Sequence, residues 1–320
     1  MLRRALLTGG AAALVSLVAL PARSEPTTKI LVGFAAGGTS DVIARVVANS
    51  LGQKLGGTVI VENKPGATGQ IAATYVARAV PDGHMLLLAS QSSQAVAPSL
   101  YKSLPYDPVK DFTPITLVTW SPLVLVCNSS LNVNSVKDLI DYIKKRPGQL
   151  SYATGGRADG SHLSALMFNS MAKLDAVAVP FQGDGPALAS VLAGQLPYMF
   201  VSVPTVASFI ATGKIRALAV TSKMRAKSLP DLPTISEAAL PGYEMVNWWA
   251  IYGPPNMSPD SVKKLNAAIV DVLHSSGARE RLEKLGYEVT GGSADELAAY
   301  LKNETQKWFD VTKNAGLEAQ

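Results

Sequence analysis

Four times in this 320-residue chain a short run of β-forming apolar residues stops at glycines and gives way at once to a helical pattern. The first instance, KILVGFAAGGTSD at 29–41, breaks at Ala35-Ala36-Gly37-Gly38, and an amphipathic pattern begins at Ser40-Asp41. The others are NKPGATGQ at 63–70, LSYATGGRADGSHL at 150–163 and VPFQGDGPAL at 179–188, where Pro186 heads the following helix. Each reads as strand, glycine turn and helix start. Such a turn aims unpaired backbone N–H groups from the positive end of a helix dipole, an anion site that needs no charged side chain. The same glycines also serve any sharp turn, so one unit alone leaves ligand binding and plain chain reversal open.

Strand-like runs recur at 30–34, 59–62, 85–89, 123–127, 150–153, 176–181, 198–201, 215–221 and 248–252, with helical patterns between most of them. The alternation predicts an α/β fold with largely parallel sheets. Helix starts are marked by Ser40 before 41–55, Thr68 before 69–80 and the pair Ser135/Asp138 before 136–146. Ser258-Pro259 opens 260–274, and Ser293 precedes a long pattern at 294–313. Two proline-rich stretches, 105–122 and 229–241, lack helical periodicity and suit crossings between lobes. They divide the chain into a first lobe, 25–122 with 232–320, and an inserted second lobe, 123–231. Two lobes joined twice suit hinge closure over a ligand.

Residues 1–24 read as an export signal. Arg3 and Arg4 form a basic start, an apolar stretch runs to Leu20, and Ala22-Arg23-Ser24 places small residues for cleavage before Glu25. General and twin-arginine export both fit. The apolar stretch is short for a membrane span, and no later segment sustains the length that spanning needs. The leader holds three arginines and no acid, so its removal lowers the net charge from +5 to +2. No basic block of the nucleic-acid-binding kind remains. Cys127 is the only cysteine, so no intramolecular disulfide can form and packing must hold the fold. The product is expected to be exported, soluble and periplasmic.

Signals for catalysis are sparse. The chain lacks a G-x-S-x-G elbow, an H-E-x-x-H, a C-x-x-C and a Walker loop. Of the three histidines, His84 follows the turn Pro81-Asp82-Gly83 and His274 ends a helix. His162 opens a helix but has no obvious nucleophile beside it. No catalytic residue, metal site or cofactor is expected.

The residues also resemble a known family. GFAAGGTSD, VENKPGATG, PDGHMLLLAS, LYKSLPYDPVKDFTPIT, LSYATGG with His162, VPFQGDGPAL, GKIRALAVTS, LPDLPTISEAALPGYE and WWAIYGP occur in order along nearly the whole mature chain. Together they resemble the substrate-binding proteins of tripartite tricarboxylate transporters, the Bug family. The resemblance implies a two-lobed periplasmic-binding-protein fold of the type II, Venus-flytrap kind, with a cleft that closes on a small carboxylate. It implies a monomer that hands its ligand to membrane permease subunits. In the first lobe it implies ligand contacts from Phe34, Gly37, Gly38, Thr39 and Asp41, with Ala67 and Ser90. In the second lobe it implies Thr154, Gly156, Arg157, Asp159, His162, Phe181, Asp184 and Ser202. Trp248 and Trp249 serve either as a pocket wall or as core.

Two positions depart from the family's pattern. Its second-lobe loop often reads G-x-G-S or G-x-G-T, but here Gly156-Arg157-Ala158-Asp159 stands instead; its later loop is often G-G-G-P, but here it is Gly183-Asp184-Gly185-Pro186. Acids beside a carboxylate site repel a plain dicarboxylate if both point inward. They suit a ligand that also carries an ammonium or another donor. Arg157 could counter a distal anion or pair with either acid; alternatively all three face solvent, or Asp159 only caps the His162 helix. A sensory receptor, or a secreted enzyme using His162 or Asp159 as acid–base group, are the rival functions.

Overall fold

The computed structural model describes residues 27–157, 159–315 and 319; the leader expected at 1–24 lies outside them. In chain order the first lobe begins with β1 (Thr27–Val32), α1 (Thr39–Leu55), β2 (Thr58–Asn63), α2 (Gln70–Ala77), β3 (Met85–Ser90) and α3 (Ala97–Leu100). A long β4 (Thr113–Asn128) leads into α4 (Val136–Lys144), β5 (Leu150–Thr154), α5 (Gly160–Ala172), β6 (Ala176–Pro180), α6 (Asp184–Leu192), β7 (Tyr198–Ser202), α7 (Val203–Ala211) and β8 (Ile215–Val220). The return comprises α8 (Ile235–Ala238), β9 (Val246–Gly253), α9 (Pro259–His274), α10 (Ser276–Lys284), β10 (Glu288–Val289) and α11 (Ala294–Asn314).

One strand belongs to both lobes. The first half of β4 runs antiparallel to β9, from Thr113 opposite Gly253 to Pro122 opposite Val246. Its second half runs antiparallel to β7, from Leu123 opposite Ser202 to Cys127 opposite Tyr198. β1 lies parallel to β2 and β3, while β3 is antiparallel to β9 with Ser90 opposite Trp249. β5 lies parallel to β6 and β7. The carboxyl ends of β1, β2 and β3 therefore point toward the middle of β4 from one side. Those of β5, β6 and β7 point toward it from the other, and the loops beyond them converge at the hinge, as ligand loops do in open α/β sheets.

The sheet differs from the largely parallel one expected, because β4, β8 and β9 pair antiparallel. The stretch 105–122, read as a proline-rich crossing without helical periodicity, holds the first part of β4, which begins at Thr113. Its prolines sit where a ladder tolerates them: the register shifts between Pro114 and Thr116, and Pro122 lies at the passage between lobes. The second crossing, 229–241, holds α8, opened by a capping box of Thr234 and Glu237. α2 stops at Ala77, short of the turn at Pro81. The sequence reading missed α7, α10 and the π-helical turn Ser92–Val96 that follows β3. Ser135, Ser258 and Ser293 do cap their helices, each accepting a backbone N–H three residues on. Ser40 and Thr68 do not: α1 starts from Gly38 and α2 from Gly69.

Among the described residues there are three apolar clusters, and α11 lies across the largest, which spans both lobes. One carboxylate organises this region. Glu304 is buried, and its Oε2 accepts from Trp248 Nε1 at 2.9 Å, Gln91 Nε2 at 3.0 Å and Trp308 Nε1 at 3.3 Å. Lys307 pairs with its other oxygen. The knot fastens the C-terminal helix to β9 and to the residue after β3. Trp248 is thus core, with no exposed surface. Glu304→Ala, which strands two indoles and an amide in a dry interior, is expected to cost about 3–5 kcal/mol in urea unfolding followed by tryptophan fluorescence. A loss below about 1 kcal/mol would contradict the knot's role.

Candidate functional site

Five helices of eight residues or more follow strands whose carboxyl ends face the hinge: α1, α2, α5, α6 and α7; the short α3 and α8 follow β3 and β8, and α8 is capped by Thr234. Four of the five, those headed by Gly38, Gly69, Gly183 and Ser202, have no side chain capping the first turn. By contrast α4 and α9, which follow the outer ends of β4 and β9, are capped by Ser135 and Ser258. These four helix starts thus keep N–H groups for something other than their own side chains. The fifth, α5, breaks the pattern. Its first turn is filled by Asp159, whose Oδ1 accepts from His162 N at 2.9 Å and from Ser161 Oγ at 2.7 Å.

In the first lobe the loop Phe34-to-Asp41 is fixed from several directions. Trp249 Nε1 donates to Ser40 Oγ at 2.9 Å, Asn63 Nδ2 donates to Phe34 O at 3.0 Å, and the Tyr287 ring packs edge-on against Trp249. Phe34 is half-buried against Gly69, which brings the Ala67 loop alongside. Asp41 turns back on its own loop: Oδ2 accepts from Gly37 N at 2.9 Å and from Arg45 Nε at 2.8 Å. The Gly37 N–H is therefore taken, and Thr39 and Ser40 supply the outward N–H groups of the first turn. The Arg45 bond, aided by that of Gly37, holds the Asp41 carboxyl down at about 2. Ser90, opposite Trp249, alternates onto the face of Leu88 and Trp249, which is the α1 side of the sheet.

In the second lobe two loops are tied together. Phe181 N donates to Thr154 O at 2.9 Å and Gly183 N to Gly155 O at 2.7 Å. Gly155 N in turn donates to Ser161 Oγ at 2.8 Å. This brings both acids against Gly155: a Cβ there would stand 2.5 Å from Asp184 Oδ1 and 2.8 Å from Asp159 Oδ2. Only glycine fits. Ser202 Oγ donates to Asp184 Oδ2 at 3.3 Å and lies 2.7 Å from Thr205 Oγ1. Burial pushes both carboxyls up, and the Asp184 charge pushes Asp159 further. Burial and then the Arg157 charge lower His162. Arg157 itself is exposed and, among the described residues, pairs with neither acid. Phe181 is half-buried against the second-lobe core, and Thr154 Oγ1 bonds Gly156 O at 3.2 Å.

Sequence reasoning missed Asn247, Arg45, Tyr287 and Ser161. Asn247, opposite Ser121 at the hinge, presses on the start of α5: a Cβ at Gly160 would stand 2.3 Å from its Oδ1. Arg45 was legible as the i,i+4 partner of Asp41. Asn247 and Tyr287 carry no local signal, because only the fold brings them near. A separate groove of about 790 Å³ lies at the amino ends of β1 and β3, lined in part by Ile71, Tyr75, Arg78 and Val80. It abuts the carboxyl end of α2, the wrong pole for an anion, so the hinge loops are the better ligand site.

The family described as "Tripartite tricarboxylate transporter family receptor" matches residues 43–317. The chain belongs to this family. It is 34% identical to the protein BugT of Bordetella pertussis over 97% of this chain and 94% of that protein. Among solved structures it is similar to the periplasmic binding protein BugD, with 36% identity, a TM-score of 0.75, and 92% and 99% of the two chains covered. It is also similar to a Rhodopseudomonas palustris protein solved with adipate, at 33% identity, TM-score 0.78, and 92% and 98% coverage. MatC from the same organism, solved with bound malate, matches at 34% identity, TM-score 0.74, and 89% and 98% coverage. The two-lobed binding-protein fold with a cleft between the lobes follows. Among the described residues no helix is long and apolar enough to cross a membrane.

The two kinds of acid at these helix starts predict opposite pH behaviour. Asp41 is depressed, so its contribution to stability is present above its unfolded value near 3.8 and is lost as pH falls toward 2. Asp41→Ala is expected to lose about 1–3 kcal/mol at neutral pH, with the gap from the parent narrowing only below about pH 4. Asp184 is raised, so its ionisation works increasingly against folding as pH rises from the unfolded value near 3.8 to its folded pKa, and fully above that. Asp184→Asn is expected to raise the melting temperature at neutral pH by on the order of 2 °C, a gain that vanishes on acidification. Thermal melts across pH measure both; a pH-independent effect of either change would contradict these assignments.

Proposed function

We propose that this protein is an exported, monomeric receptor that captures a small carboxylate between its lobes and delivers it to the membrane subunits of a tripartite transporter. The observation that carries this reading is the convergence of uncapped helix starts from both lobes on the middle of β4. Helix ends attract anions by roughly 0.3–1 kcal/mol each, more when partly buried. Several acting together in a closing cleft can reach micromolar affinity, about 8 kcal/mol. The similarity to proteins solved with adipate and malate supports a carboxylate as the shared ligand feature.

In this reading the hinge lies at 122/123 and 231/232. The carboxylate rests at the start of α1, near Thr39 and Ser40, between Phe34 and Ser90, with water bridging where direct contact falls short. Asp41 keeps the loop in shape from behind. Thr154, Gly156, His162, Phe181 and Ser202 close from the second lobe. Ligand binding shifts an open–closed equilibrium, and the closed form docks on the permease.

A thermal-shift screen of mono- and dicarboxylates, hydroxy acids and amino acids tests this. A ligand present at a hundred times its Kd adds about 2.7 kcal/mol to the folded state, enough for a clear rise in melting temperature. The ligand should be recovered unchanged. Chemical turnover of a bound compound, or a shift with no carboxylate at all, would contradict the receptor reading.

A further inference from the structure

The two halves of the cleft carry opposite electrostatic characters. In the first lobe the one acid at the helix start, Asp41, is neutralised by Arg45 at 2.8 Å. In the second lobe the two acids at helix starts, Asp159 and Asp184, form no ion pair among the described residues. Their oxygens crowd one point, the place where a Gly155 Cβ would stand. Asp159 already occupies the N-terminus of α5, the position where a ligand anion would otherwise gain from the helix dipole.

A second observation points to an occupant on the opposite side. Ser90 is 7% exposed, and its hydroxyl has no hydrogen-bond partner in the protein. Strand alternation aims it to the α1 face beside Trp249, whose indole reaches Ser40 in the first turn of α1. A buried, unsatisfied hydroxyl beside an uncapped helix start suits an acceptor such as a carboxylate oxygen.

Resting on the receptor reading above, we infer that the ligand is bipolar: a carboxylate at the α1 end and an ammonium-type donor facing Asp159 and Asp184. A second carboxylate at that end would be brought, desolvated, against two acids without a cationic partner. An ammonium there supplies the missing positive charge and up to three donors to oxygens that already converge. The second-lobe acids thereby set which small carboxylates are accepted. The α1 loop sets only that one end is a carboxylate.

Matched ligands test this directly. Succinate against 4-aminobutyrate, and adipate against 6-aminohexanoate, keep chain length while exchanging one carboxylate for an ammonium. Isothermal titration calorimetry of the leaderless protein at neutral pH is expected to show the amino acid of the preferred length binding at least about tenfold tighter than its dicarboxylate partner. In Asp159→Asn/Asp184→Asn the order should reverse. Asparagine caps a helix as well as aspartate, so that variant is expected to keep its fold, checked by its melting temperature and by Asp184→Asn alone. Dicarboxylates binding as tightly or tighter, with a ratio unmoved in either variant, would overturn this inference and leave the receptor reading standing. Failure of every member, and of the wider carboxylate screen, would overturn both.

Discussion

The fold depends on β4, a single strand paired antiparallel to β9 in one lobe and to β7 in the other. Because its direction is continuous, the parallel strands on either side are forced to end toward its middle. Every loop that follows them is then delivered to the hinge. Strand polarity fixes helix polarity, so the positive poles of α1, α2, α5, α6 and α7 are gathered in one place. Charged side chains are not required to make that region attractive to an anion. The backbone does it, provided the helix starts are not capped by their own residues.

Rigidity behind the cleft comes from groups outside it. Glu304 binds two indoles, an amide and an ammonium, and so holds the C-terminal helix, β9 and the residue after β3 in one arrangement. Trp249, adjacent to the core residue Trp248, points to the other face and fixes Ser40. Neighbouring tryptophans thereby join the buried knot to the α1 loop through one strand, the alternation of side chains doing the connecting.

Much of this was legible in the sequence and some was not, for physical reasons. The strand–glycine–helix units are local and strong, and they place Gly37, Gly38 and Gly156 in the turns and Asp184 at a helix start. Ser135, Ser258 and Ser293 announced their helices because capping is a contact three residues long. β4 was cut short because Pro114 and Pro122 argue against a central strand, and only a bulge and a lobe crossing admit them. Ser40 read as a cap because the partner that claims its hydroxyl, Trp249, is 209 positions away. Glu304, Asn247 and Tyr287 were invisible for the same reason: their roles exist only through long-range contacts. Asp159 and Asp184 stand out in the sequence only as separate departures from the family's pattern; the glycine that both carboxylates crowd shows how close the two stand.

The claim on which the rest turns is that a carboxylate is held at the start of α1 by backbone N–H groups facing the hinge. Amide NMR of the leaderless protein, titrated with the tightest carboxylate found, measures this most directly. The account predicts the largest shifts at Thr39 and Ser40, with Ser90 and the loops at Gly155 and Gly183 following as the lobes close. Shifts concentrated instead around Ile71, Tyr75 and Arg78, with Thr39 and Ser40 unmoved, would contradict it.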